Sequence, residues 1–318
     1  MRWKGHLAVV PAAVIAIGLA ACGGNNTDSG GQGGGSMSAA GARLNVVATT
    51  TQVADFARNI GGDRITLTQI LTPNVDPHDF EPSPADLTAL SRADVLIENG
   101  VGLEAWLDDT VQNSGFAGLR VDASKGVPLR RGEGEEAGED DPHIWHNPAN
   151  VTIMVQNIAD GLIQKDAADE ATYRTNLSTY QGKLDALDRE IQQQIGSIPA
   201  AQRKLVTNHD AFGYYIDHYH LRFIGSIIPS LNTSAELSGK QIQDIVAKIR
   251  QTGVKAVFSE SSLPPNTAET IGREAGVTVV AGEDALYGDT LGPAGSAGAT
   301  YLDMERHNTT VIVSALRG

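Results

Sequence analysis

The chain has 318 residues, of which 41% are apolar and 19% charged, a balance that excludes a disordered protein and gives enough length for two domains or one large one. Its formal net charge of −14 argues against nucleic acid as a partner. The single cysteine, Cys22, excludes an internal disulfide framework and any thiolate metal cluster.

Taken in chain order, the first 22 residues, MRWKGHLAVVPAAVIAIGLAAC, carry Arg2 and Lys4 ahead of an apolar run from Leu7 to Ala21. That run is too short for a comfortable bilayer span and reads as an export signal. Its end, LAAC, resembles a bacterial lipoprotein signal, in which Cys22 is lipidated and becomes the new N-terminus. Cleavage would remove two bases and no acid, taking the net charge to −16. Residues 23–43 are Gly/Ser-rich, a tether spanning on the order of 25 Å as a flexible coil.

From Leu44 onward β-branched runs alternate with helical patterns. RLNVVATT predicts a strand, QVADFARNIGG a helix, RITLTQIL a strand, SPADLTALSRAD a helix and VLIENG a strand. A helix is expected to begin near Pro148. The second half repeats the grammar, from RKLVTN and AFGYYIDHY through LRFIGSII, SGKQIQDIVAKIRQTG, KAVFSE and NTAETIGREAG to VTVVAG. Such alternation predicts an α/β fold with mainly parallel sheets flanked by helices. Between the halves, residues 166–196 lack proline and place Tyr173, Leu177, Tyr180, Leu184, Leu187 and Ile191 three and four apart, the stripe of one long amphipathic helix. The expected organisation is an N-terminal lobe over 44–165, a linker helix over 166–200 and a C-terminal lobe over 201–318. A stiff linker of this kind implies lobes that rock little.

The histidines separate by where they fall. His78 sits in TPNVDPHDFEPSP, where four prolines exclude both helix and central strand and hold the loop rigid enough to present an imidazole. His143 lies in the proline-bracketed EDDPHIWHNP, His209 follows the strand KLVTN, and Asp289 follows VTVVAG. All four lie in loops beyond or between strands, and the crevice outside strand carboxyl ends is where open α/β sheets bind ligands. Three imidazoles and a carboxylate make a tetrahedral set for a divalent transition metal.

The ordered segments PHDFEPSPADLTALSRADVLIENG, DPHIWHNP, TNHDAFGYY, FSESS and TYLDMERHN resemble the metal-binding lipoproteins, or solute-binding proteins, that serve ABC-type zinc and manganese importers. The resemblance runs from about residue 44 to the end. It implies two α/β lobes bridged by one long helix, with metal in the cleft between them. It assigns His78, His143, His209 and Asp289 as ligands, with Glu283, Asp284 and Asp303 as competitors near Asp289. Glu260 and His146 are expected to support the ligands rather than bind metal, and Trp145 to pack beside them. His218, His220 and His307 have no ligand role. Manganese members commonly carry glutamate in place of the third histidine, so His209 favours Zn2+ over Mn2+ as the transported ion. Zinc-importing relatives often have a histidine-rich loop where this chain has EGEEAGEDD, residues 133–141, read as a solvated acidic loop or a lure for cations.

The resemblance further implies an exported, monomeric receptor, anchored through Cys22 to the outer face of the bacterial cytoplasmic membrane. It would hand its ion to an ABC permease and its ATPase, with affinity falling as pH drops through roughly 6. Two other readings are a surface adhesin and an exported zinc hydrolase with Glu260 as general base. The hydrolase is disfavoured because four protein ligands leave no position for a reactive water, and the chain has neither an H-E-x-x-H helix nor a G-x-S-x-G elbow.

Overall fold

A computed structural model describes residues 43–132, 136–233 and 237–317. The signal segment with Cys22, the tether up to residue 42 and residues 133–135 of the acidic loop lie outside the described residues.

The N-terminal sheet is parallel, in the order β2-β1-β3-β4, from β1 (Leu44–Ala48), β2 (Ile65–Gln69), β3 (Val95–Glu98) and β4 (Leu119–Asp122). β3 is buried along its whole length, as expected of a strand covered on both faces. The crossovers are α1 (Thr51–Gly61), α2 (Pro84–Ser91) and α3 (Leu107–Ser114). Local chemistry fixes the helix starts. The Thr50 hydroxyl accepts from the Val53 amide, and Ser83 and Asp86 form a capping box around Pro84 at the first helical position. α4 (Pro148–Lys165) starts at the expected Pro148, capped by Asn147.

The long helix α5 spans Glu170–Gly196, 27 residues or roughly 40 Å. It begins four residues later than the proline-free stretch suggested. Asp166 leaves the helical region (φ −138°, ψ 75°) to end α4, and residues 167–169 form a 3-10 turn before the chain re-enters a helix. The buried stripe is the predicted one, Tyr173, Leu177, Tyr180, Leu184, Leu187 and Ile191, extended by Ile195.

The C-terminal half holds two parallel pairs, β5 (Lys204–Thr207) with β6 (Arg222–Ser226) and β7 (Ala256–Phe258) with β8 (Thr278–Val280), β5 lying beside β7. They alternate with α6 (Gly213–Tyr219), α7 (Gly239–Thr252) and α8 (Asn266–Ala275). The chain ends in α9 (Tyr301–Arg317). α9 packs on α5 and touches α1: the Tyr301 amide donates to Asp55 Oδ2 (3.2 Å), and its ring meets Phe56 edge-on with centroids 5.1 Å apart. One hydrophobic core therefore runs from Phe56 and Ile60 through the α5 stripe to Phe212, Tyr215, Tyr301 and Ile312. A smaller core of Val206, Ile224, Ile249, Val257 and Ile271 fills the C-terminal half. The strand ends of both halves open toward the segments that carry the histidines. Among the described residues no helix is long and apolar enough to cross a membrane.

Candidate metal site

The loop after β2 carries His78, the segment between β4 and α4 carries His143, the end of β5 delivers His209, and the stretch after β8 delivers Asp289. These four converge: one donor atom from each lies within 4.8 Å of every other. Asp289 Oδ2 is 3.3 Å from His209 Nε2 and 3.7 Å from His78 Nε2, and Asp289 Oδ1 is 3.4 Å from His143 Nε2. The His143 and His209 Nε2 atoms are 3.3 Å apart. His143, His209 and Asp289 are buried, and the His78 side chain is only 5% exposed.

Two of the rings are oriented from behind. Asp141 Oδ1 takes His143 Nδ1 (2.8 Å), and Glu260 Oε1 takes His209 Nδ1 (2.9 Å). The same oxygens also accept the backbone N–H groups of these histidines (3.0 and 3.1 Å). A carboxylate behind Nδ1 fixes the proton there and turns the Nε2 lone pair toward the cluster. Two lone pairs then face each other across 3.3 Å, an arrangement that calls for a proton or a cation between them. Among the described residues, neither oxygen of Asp289 receives a hydrogen bond, nor does His78 Nε2, although all three are buried. Orphaned buried polar atoms are costly, and here they converge on one point.

The electrostatics agree. Burial pulls the His78 imidazole down to about 3, so it presents a free lone pair at neutral pH. Burial also works against a charged His209, but Asp289 and Glu260 more than offset it and hold this imidazole above its ordinary value. Burial would raise Asp289, yet His209 first and then the other imidazoles keep it below the usual carboxylate range.

The remaining histidines sit elsewhere. His146 turns away from the cluster, its Nδ1 2.8 Å from Glu305 Oε1 and its Nε2 3.1 Å from the Gly288 carbonyl. His218 pairs with Asp188 (2.8 Å), His307 reaches the Ala285 carbonyl (3.1 Å), and His220 is the exposed left-handed cap of α6. Trp145 packs against His143, with ring centroids 5.4 Å apart. Glu283 and Asp284 are exposed, and Asp303 faces Thr300 and Arg306 on the surface, away from the four.

The reading of residues 133–141 as a solvated loop or cation lure fits the exposed Glu139 but fails for two of its described acids, Asp141 and Glu136. Asp141 is fully buried behind His143, with Arg130 3.4 Å from its second oxygen. Glu136 is bound too, accepting from Ser230 Oγ (2.6 Å) and the Leu231 amide (2.7 Å). Asp141 was missed because it sits in a run of acids, yet a signal was present: Asp-Pro-His occurs twice, at 76–78 and 141–143. In both copies the aspartate accepts the histidine's backbone N–H two residues on (2.9 and 3.0 Å), a turn that aims the ring. Glu305 lies among the acids of α9, with no sequence mark of its partnership with His146.

A buried three-histidine, one-carboxylate cluster between two α/β halves defines a metal-binding receptor of the solute-binding class. The chain belongs to the family described as "Zinc-uptake complex component A periplasmic", whose model matches residues 46–315. It is 34% identical to a metal ABC transporter substrate-binding lipoprotein, ScbA, of Streptococcus cristatus, over 94% of this chain and 95% of that one. It is likewise 34% identical to the manganese ABC transporter substrate-binding lipoprotein PsaA of Streptococcus anginosus, over 99% of both. Among solved structures, the periplasmic zinc binding protein TroA of Treponema pallidum superposes with a TM-score of 0.80 at 31% identity, over 86% of this chain and 99% of TroA. The two lipoproteins are named as substrate-binding components of ABC transporters, and the chain is a receptor rather than an enzyme.

Proposed function

We propose that this protein is an extracytoplasmic lipoprotein, anchored through Cys22, that captures Zn2+ at His78, His143, His209 and Asp289 and delivers it to an ABC permease driven by its ATPase. The observation that carries the reading is the size of the cluster. A tetrahedral ion with bonds of about 2.05 Å has ligand–ligand edges of about 3.3 Å. The His143–His209 separation of 3.3 Å and the 3.3 and 3.7 Å from Asp289 Oδ2 to His209 and His78 lie near that figure, with Asp289 Oδ1 3.4 Å from His143 and one donor from each residue within 4.8 Å of the others. Three nitrogen donors favour zinc over manganese in the Irving–Williams order, and manganese prefers a six-coordinate, oxygen-rich shell.

The second reading is a manganese receptor of the same architecture, favoured by the relatives named for manganese. Calorimetry on metal-stripped protein lacking residues 1–22, titrated with zinc and with manganese at neutral pH, separates the two. Tight 1:1 zinc binding, lost by orders of magnitude in His209→Ala, is the expected result. Tighter manganese binding overturns the zinc assignment, and no tight binding of either ion overturns the receptor reading.

A further inference from the structure

The short turn from His143 to His146 contributes to the site at both ends. Its first residue aims Nε2 into the cluster. Its last two hold the opposite wall: the Trp145 indole N–H donates to the Gly288 carbonyl (3.1 Å), and His146 Nε2 lies 3.1 Å from the same oxygen. Gly288 immediately precedes Asp289. The Asp289 carbonyl takes a hydrogen bond from Gln52 Nε2 (2.9 Å), and Gly288 passes so close to Glu260 that a Cβ there would lie 2.0 Å from Oε2, leaving space for glycine only. His146 is anchored in turn by Glu305 on α9, both residues being 0% exposed, and it stacks on Phe212 with centroids 4.3 Å apart.

We propose that Trp145, His146 and Glu305 are positioning residues that set the separation of His143 from Asp289, and through it the preference for a small four-coordinate ion over manganese; the inference rests on the receptor reading above. His146 can donate to Gly288 only with a proton on Nε2, so the 2.8 Å contact between Nδ1 and Glu305 Oε1 holds a second proton shared by that pair, and together the two contacts keep the ring turned toward Gly288. The 3.4 Å edge between His143 and Asp289 is therefore fixed by a single turn of backbone and two hydrogen bonds onto one carbonyl. Releasing that carbonyl lets Asp289 withdraw. A tetrahedral ion with short bonds loses one of four ligands, whereas a larger six-coordinate ion replaces the lost contact with water and loses less.

Zinc and manganese affinities, measured by competition with a chromophoric chelator, and thermal midpoints of the metal-free proteins test this in four variants. Trp145→Phe keeps the ring and removes only its N–H, so it carries the test if His146→Ala does not fold. Both are expected to weaken zinc by roughly 10- to 100-fold, in the range found for groups that orient metal ligands, and manganese by less. Glu305→Gln keeps a partner at Nδ1, its amide N–H donating there and leaving the proton on Nε2, and is expected to stay within about threefold of the wild type; Glu305→Leu should resemble His146→Ala. Unchanged zinc affinity in folded Trp145→Phe, or equal losses for both ions, overturns the inference, as does Glu305→Gln being as damaging as Glu305→Leu. Wild-type protein that binds neither ion overturns the receptor reading instead.

Discussion

Metal capture by this site is expected to release a proton at neutral pH, and the proton comes from His209. In the metal-free protein Asp289 and Glu260 outweigh burial and hold the His209 imidazole above its ordinary value. His78, pulled down to about 3 by burial, has no proton to give. A metal ion must take the Nε2 lone pair of His209, so below the metal-free pKa of that ring each pH unit costs about tenfold in affinity, or about 1.4 kcal/mol. The fall therefore begins above the pH of about 6 that an unperturbed imidazole would give. Titrating zinc at pH 7 in two buffers of different ionisation enthalpy measures the protons released, and the expected value is at least one. Glu260→Gln replaces one of the two charges that hold the proton, so it should lower both the proton count and the pH slope. Zero protons released by the wild type, or an identical count in Glu260→Gln, would refute the reasoning. The same shift acts on stability with a definite sign. A raised folded-state value stabilises fully below the unfolded pKa of about 6.5, and that contribution is lost as pH rises through the folded value. The thermal midpoint of the metal-free protein should thus fall as pH rises above about 6.5, while that of the zinc-loaded protein should not.

Saturating zinc should raise the thermal midpoint, since an ion at about 1,000 times its dissociation constant contributes about 4 kcal/mol, and a chelator should reverse the gain in the same scan. His218→Ala, which loses a partly exposed pair with Asp188 and an edge contact with Tyr219, is expected to leave zinc affinity unchanged in the calorimeter, in contrast to His209→Ala. Leu184→Ala in the buried stripe of α5 should cost 2–5 kcal/mol in denaturant unfolding, with the 1:1 zinc stoichiometry intact.

Periodicity and punctuation made much of this fold legible. The α5 stripe could be read because apolar residues three and four apart have one helical solution, and β1 and β3 because β-branched runs between turn signals have few others. What escaped lacks such a signal. α3, LDDTVQNS, has only two buried residues, and β4, LRVD, is four residues with one buried, so neither shows a pattern above its surroundings. α9 carries Glu305, Asn308 and Thr309 on its buried side, where hydrogen bonds replace apolar contact and blur the helical period. Position told where the four candidate ligands fall relative to strands. It did not tell which acid stands behind which ring: Asp141, two residues from His143, is hidden by the acids around it, and Glu305 meets His146 only once segments 159 residues apart are folded together.

The two Asp-Pro-His segments show how one local device serves two ends. Each aspartate receives its histidine's backbone N–H, so the turn is the same. The second contact differs: Asp141 also takes the Nδ1 of its own histidine, whereas Asp76 takes the hydroxyl of Thr233 in the C-terminal half. His143 is thereby locked within its own turn. Among the described residues no carboxylate stands behind the His78 ring, and its loop is instead fastened to the C-terminal half, by Thr233 to Asp76 and by the Asn74 amide donating to Thr290 Oγ1 (3.1 Å). Thr290 follows Asp289 directly, so this fastening ties the loop of one ligand to the segment of another. The rigid pair, His143 and His209, fixes where the ion sits. The fastened loop thus makes the position of His78 depend on contact between the two halves, and in the proposed receptor that contact is what brings the fourth donor to the other three.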